Sequence, residues 1–179
     1  MPQPPSPSGQ PGTPSDPAVT VRPAAASDFQ ALGRLGALLV RTHHAFDSER
    51  FIAATPETEA GYAGFLASQI GRADAVVLVA ERDGVVIGYA YAVVEGPDYM
   101  ALRGPAGVFH DLVVDPARRG RGVGQSLLDA TLHALTARGA PQVVLSTAER
   151  NEAAQRLFAR AGFRRTMVEM TRESDSEVT

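Results

Sequence analysis

The chain has 179 residues, one domain's worth, and 44% of them are apolar, enough for a single core. Its net charge of −3 argues against a general nucleic-acid binder, and with no cysteine it excludes disulfides, thiolate metal sites and an acyl-cysteine intermediate. No apolar run approaches the roughly 18–20 residues that span a bilayer, and the first residues lack the basic and apolar regions of a signal peptide. The default expectation is therefore a soluble, cytoplasmic protein with no membrane partner.

Residues 1–17 hold Pro2, Pro4, Pro5, Pro7, Pro11, Pro14 and Pro17 and a lone charge, Asp16. Such a segment buries too little surface to offset its ordering entropy, so a disordered tail is expected there. The folded domain is expected over 18–172, with the acidic end 173–179 fraying. Val19–Arg22 has the pattern of a first strand. Ser27 and Asp28 offer caps for a helix carrying Leu32, Leu35, Leu38 and Leu39. Thr55-Pro56-Glu57 starts a second helix, Thr as cap and Pro in the first turn, running to about Arg72.

Between those helices, Arg41–Ala54 gathers polar, aromatic and ionisable groups without clear period. His43 and His44 suggest a metal, but neighbours on a helix point about 100° apart and no i,i+4 partner follows, so no metal site is expected. Ala75–Ala80 and Val85–Val94 form two strands around Arg82-Asp83-Gly84, a strong hairpin signal. Tyr89 and Tyr91 share one face of the second, as core or as pocket wall. A Gly/Pro-rich loop, Glu95–Gly107, leads to a strand at Val108–Val114. Leu127, Leu128, Thr131, Leu132 and Leu135 mark the buried face of the next helix, stopped by Arg138-Gly139. Gln142–Ser146 is a further strand. Asn151 caps a helix with apolar residues Ala153, Ala154, Leu157, Phe158 and Ala161, and Phe163–Thr171 is a last strand. This order argues an α/β domain with a mixed sheet, its middle antiparallel and its second half of β-α-β type.

Between the fourth strand and its helix the chain reads Arg118-Arg119-Gly120-Arg121-Gly122-Val123-Gly124-Gln125. Glycine lets backbone approach a ligand, a helix N-terminus offers unpaired N–H groups, and arginine suits phosphate oxygens. Residues 119–125 are therefore expected to cradle a pyrophosphate. The spacing is neither the dinucleotide G-x-G-x-x-G nor the P-loop pattern.

Arg119, Gly122 and Gly124 do satisfy R/Q-x-x-G-x-G/A after the strand Leu112-Val113-Val114. Asn151, Ala154, Leu157, Phe158 and Gly162-Phe163 match a second block, N-x-x-A-x-x-L-Y/F-x-x-x-G-F. Together these resemble the GCN5-related N-acetyltransferase (GNAT) family over about Val19–Arg172. The resemblance implies that family's acyl-CoA N-acyltransferase fold, a mixed and mostly antiparallel sheet of about six to seven strands flanked by about four helices. It implies acetyl transfer from acetyl-CoA to a primary amine of a small molecule, or of a peptide or protein, directly within a ternary complex. No metal takes part, and two copies commonly pair in the family.

By the same resemblance, Leu112, Val113 and Val114 would meet the pantetheine arm and the acetyl carbonyl. The amides of Arg119, Gly120, Arg121, Gly122, Val123, Gly124 and Gln125 would hold the pyrophosphate. Asn151 would bond the pantetheine, unless it serves only as a helix cap. Many relatives carry Glu-Asp-Leu where this chain has His110-Asp111-Leu112, with the Glu as base. His110 is thus a candidate base or a packed strand residue, with Asp111 facing the other way unless a bulge alters the parity. Phe158 stands beside the expected cofactor where many members have a tyrosine that protonates the departing thiolate, which phenylalanine cannot do. A non-catalytic acyl-CoA-binding sensor with this fold is the alternative. The acceptor side is expected from Arg41–Ala54 and Glu95–Gly107, where Asp47, Glu49, Glu95 and Asp98, together with Asp111, lean toward a cationic amine.

Overall fold

Two long strands rich in β-branched and aromatic residues set the frame of the computed structural model, which describes residues 18–119 and 122–174. The proline-rich tail 1–17, Gly120 and Arg121 of the glycine turn, and the last residues of the acidic end lie outside the described residues. Strands β2 (Ala75–Arg82) and β3 (Val85–Glu95) pair antiparallel through Asp83-Gly84, at φ 52° and 73°. Positive φ at both central positions is the hairpin geometry whose twist matches that of the strands.

β1 (Thr20–Pro23) lies antiparallel to β2, and β4 (Ala106–Val114) antiparallel to β3. β5 (Val143–Leu145) adds parallel to β4, giving the order β1-β2-β3-β4-β5. Helices α1 (Phe29–Phe46) and α2 (Thr58–Gln69) cover one face, while α3 (Val123–Ala137) and α4 (Glu152–Arg160) cover the other. Period-2 alternation along β3 sends Tyr89, Tyr91 and Val93 toward α1 and α2, and Ala90 and Ala92 toward α3. The small alanines leave room for Leu127, Leu128 and Leu135, all fully buried. Each such leucine stabilises the fold by about 1.5–3 kcal/mol relative to exposure.

α1 and α2 approach closely because Gly36 has no side chain. A Cβ there would stand 2.2 Å from Tyr62 Cδ1. β1 is tied down by charge. The Arg22 guanidinium grips both Asp28 carboxylate oxygens (2.8 and 3.0 Å) and also bonds Glu81. Arg22 holds the Asp28 carboxyl below its ordinary range. Its stabilisation is therefore complete above the unfolded pKa of about 3.9 and is lost as pH falls through the lower folded value.

The fold class is as expected, with corrections at its edges. The described residues form five strands, not six or seven. Phe163–Thr171 is not a strand. Phe163 instead closes α4, its N–H donating to Phe158 O at 3.0 Å. Beyond it Met167, Val168 and Met170 are exposed, and Arg50 pairs with Glu169. An alternating segment becomes a strand only where a neighbour completes its ladder, and here the chain leaves the sheet toward the α1–α2 connection. α1 runs on through His43 and His44, part of the segment expected to be irregular, with Thr42 and His43 side chains bonded to the carbonyls four residues back. Asp28 does not cap α1, because its carboxylate turns back to Ala25 N–H and to Arg22. α2 begins at Thr58 and ends at Gln69, so Thr55 is not its cap and it stops short of Arg72.

Candidate functional site

The register of β4 against β3 slips by one residue. Tyr91 stands opposite Asp111, yet Ala92 stands opposite Phe109, so His110 is the extra residue of a bulge. Phe109 consequently packs with the α3 layer, while His110 and Asp111 both reach the α2 side. There they line a cleft of about 400 Å³ with Gly61, Tyr62, Phe65 and Tyr91. Two consecutive residues that regular pleating would send to opposite faces thus share one cavity.

Three rings form the wall of this cleft. His110 stacks on Tyr91 at 5.1 Å between centroids and 21° between planes, and Phe65 meets Tyr91 edge-on at 5.5 Å. Asp111 is recessed, and its Oδ2 accepts from the Tyr89 hydroxyl at 2.9 Å. Burial pushes the Asp111 carboxyl above its ordinary range, against the opposing pull of Tyr89, His110 and His43. Burial, with the nearby Asp111 charge, pushes the Tyr62 hydroxyl up to about 12, so Tyr62 keeps its proton. At the rim, Glu95 Oε1 lies 3.6 Å from His110 Nε2, and Glu95 Oε2 accepts from Arg103 Nη2 at 2.8 Å.

The other side of β4 is built from backbone. β4 and β5 pair only at Gly107–Val143, Val108–Val144 and Phe109–Leu145. From His110 onward that edge of β4, including Leu112, Val113 and Val114, has no strand partner among the described residues. Past its end, Gly122 takes φ 76° as the residue before α3. Ser126 N–H donates to the Gly122 carbonyl at 2.9 Å. The amides of Val123, Gly124 and Gln125 precede that bond and point out of the helix N-terminus. Their geometry fits a diphosphate.

Side chains around this turn are otherwise engaged. Arg119 Nε donates to Val114 O at 3.4 Å, and Gln125 bonds Asp129 at 2.8 Å. Gly120 and Arg121 lie outside the described residues. Asn151 caps α4, its Oδ1 accepting from Ala154 N–H at 3.2 Å. Phe158 is 8% exposed and packs in the α3 layer against Phe163.

None of the residues lining this cleft comes from Arg41–Ala54, although His43 lies near enough to act on Asp111 electrostatically. The sequence reading missed Tyr62 and Phe65. Their i,i+3 spacing puts two aromatics on one helical face, the signal that could have found them. Among the described residues no group of three His, Asp or Glu could hold a metal, and no helix is long and apolar enough to cross a membrane.

The acetyltransferase (GNAT) family model matches residues 39–163. Over 96 residues the chain is 40% identical to the mycothiol acetyltransferase of Thermobispora bispora, a match covering 51% of this chain and 31% of that protein. The enzyme of the same name from Thermomonospora curvata is 38% identical over 98 residues, covering 55% and 31%. The match thus spans about a third of these relatives' length. Among solved structures, an aminoglycoside N-acetyltransferase in complex with CoA superposes at TM-score 0.67 and 18% identity, covering 91% of this chain and 99% of that one. A GCN5-related N-acetyltransferase from Ralstonia eutropha does so at 0.64 and 22%, covering 88% and 99%. With most of its length inside that family match and the whole frame of the fold shared, the chain belongs to the GNAT family of acetyltransferases.

Proposed function

We propose that the protein moves the acetyl group of acetyl-CoA directly to a primary amine of a small molecule within a ternary complex. The observation that carries this reading is the His110 bulge. It turns a recessed carboxylate and an imidazole into one cleft, on the strand whose other edge lies open beyond β5.

An alkylammonium has a pKa near that of lysine, about 10, so it must lose a proton before it can attack. Asp111 is the proposed acceptor of that proton, directly or by way of His110. Its raised carboxyl pKa brings it toward the working pH, where a base is most effective. The freed nitrogen pair forms the C–N bond as the C–S bond breaks, the electron pair leaves on sulfur, and the nitrogen sheds its second proton to water to give the neutral amide. A thiol near pKa 8.5 leaves as thiolate without a dedicated acid, consistent with a packed Phe158. Main-chain donors of Leu112–Val114 are proposed to face the carbonyl oxygen as charge grows on it. The first-turn amides of α3 are proposed to hold the diphosphate.

Thiol release from acetyl-CoA across a panel of primary amines tests this reading. Asp111→Asn should lower kcat by about 10²–10⁴, the usual worth of a positioned base. His110→Ala should lower kcat by a similar factor if the proton passes through the imidazole, and leave it near that of the parent if Asp111 takes the proton directly. A protein stabilised thermally by acetyl-CoA that releases no thiol with any amine would instead be a sensor. The relatives' names favour a second reading of the acceptor, a mycothiol-related small molecule.

A further inference from the structure

The lining of the acceptor cleft is uneven in a way that names a substrate class, an inference that rests on the amine-acetylation reading. Its wall is a row of three rings, Tyr91 touching Phe65 on one side and His110 on the other, and Tyr62 of α2 also lines it. Its recessed anion is Asp111, whose Oδ2 accepts from the Tyr89 hydroxyl and which no cationic side chain bonds among the described residues. The neighbouring acids are already matched by cations: Glu95 by Arg103, and Asp74 by Arg72 at 2.6 Å. A ligand in this cleft therefore finds one uncompensated negative charge and a surface of aromatic faces. Aromatic faces attract a cation within about 6 Å of the ring centroid and give an apolar body contact area, but they leave hydroxyl groups without partners. At about 400 Å³ the space lies at the small end of the range for ligand pockets.

We propose that the acceptor is a monoamine with an apolar, single-ring-sized body, its ammonium held on Asp111 and its body laid along Phe65, Tyr91 and Tyr62. Among the described residues a second cation would find no free carboxylate beside the rings, and a polyhydroxylated body would outnumber the few polar groups of the wall, where the Tyr91 hydroxyl already bonds Gln69 and the His110 imidazole faces Glu95. The class therefore excludes polyamines and amino sugars.

The test uses a ligand that cannot be acetylated. Trimethyl(2-phenylethyl)ammonium carries the charge and the ring but no transferable proton. With the full chain and CoA present it should bind by calorimetry and compete with 2-phenylethylamine. Phe65→Leu, at a half-exposed position, keeps an apolar side chain but removes the ring face, and should weaken the quaternary probe about three- to fivefold. Asp111→Asn should weaken it tenfold or more. In turnover, kcat/KM for 2-phenylethylamine should exceed that for glucosamine and spermidine by at least tenfold. Failure of the probe to bind, equal binding by Phe65→Leu, or a preference for glucosamine or spermidine would each overturn the proposal while leaving amine acetylation intact. Probe binding with no thiol release from any amine would overturn the acetylation reading and leave the recognition of an apolar ammonium standing.

Discussion

The two sides of β4 are made of different material. Toward β5 and α3 the site is main chain: an unpaired strand edge, a glycine at φ 76° and the first amides of a helix. Toward α2 it is side chain: rings in contact around a recessed carboxylate, brought there by a one-residue bulge. On the proposed function, main-chain donors bind what every substrate pair has in common, and side chains decide which second substrate enters. Damage on the first side should therefore abolish binding of the shared donor, while damage on the second should be graded and specific to the acceptor.

The largest effect expected is on the main-chain side. Gly122→Glu puts a side chain on a left-handed residue and a negative charge before the α3 amides, and should lower acetyl-CoA affinity by more than a hundredfold in calorimetry. Gly122→Asn separates backbone from charge, because Asn tolerates positive φ, and should keep affinity within about tenfold. If both variants bind like the parent, the cradle lies elsewhere and the comparison collapses.

Next comes Gly36→Ala, which drives a methyl group into Tyr62. Overpacking of this kind costs about 1–3 kcal/mol, read by denaturant unfolding. KM for the amine should rise while acetyl-CoA affinity holds, since Tyr62 lines the cleft proposed for the acceptor.

A smaller change of opposite sign is expected at Asp111. Its folded carboxyl pKa is raised above the unfolded value. The folded state thus favours the protonated form, and stability is lost as pH rises from about 3.9 through the folded value. Asp111→Asn mimics the protonated acid, so it should unfold later than the parent at pH 7 and no later at pH 3, even as it loses turnover. A variant less stable at pH 7 would mean that the carboxylate is a structural anchor and not a site stored at a cost.

The smallest effect sharpens the contrast from within. A Cβ on Gly124 would meet only Leu157 Cδ2 at 3.6 Å and Val114 Cγ2 at 3.9 Å, ordinary contact distances. Gly124→Ala should change stability by less than about 0.5 kcal/mol and acetyl-CoA affinity by less than threefold.

The same division explains what could be read from the chain before it was folded. A backbone-built site leaves its mark in residues chosen for conformation, so Gly122 and Gly124 announced the turn, and the Asp83-Gly84 pair announced the hairpin. The α/β order emerged from apolar periodicity for the same reason. A cleft made of side chains leaves no such mark. Tyr62 and Phe65 look like core on a helix, and only the close approach allowed by Gly36 and the register slip at His110 bring them opposite Asp111. Phe163–Thr171 misled in the reverse direction, because strand propensity is local whereas a ladder needs a neighbour.

The slip at His110 also limits how this strand can be borrowed or rebuilt. Excising a single residue there would restore regular pleating and rotate everything on one side of the cut by half a turn, exchanging the residues that face α2 for those that face α3. A graft of 108–114 into another sheet must therefore carry the two-against-one pairing with Tyr91 and Ala92 along with it, or the transplanted sequence will display the wrong set of atoms.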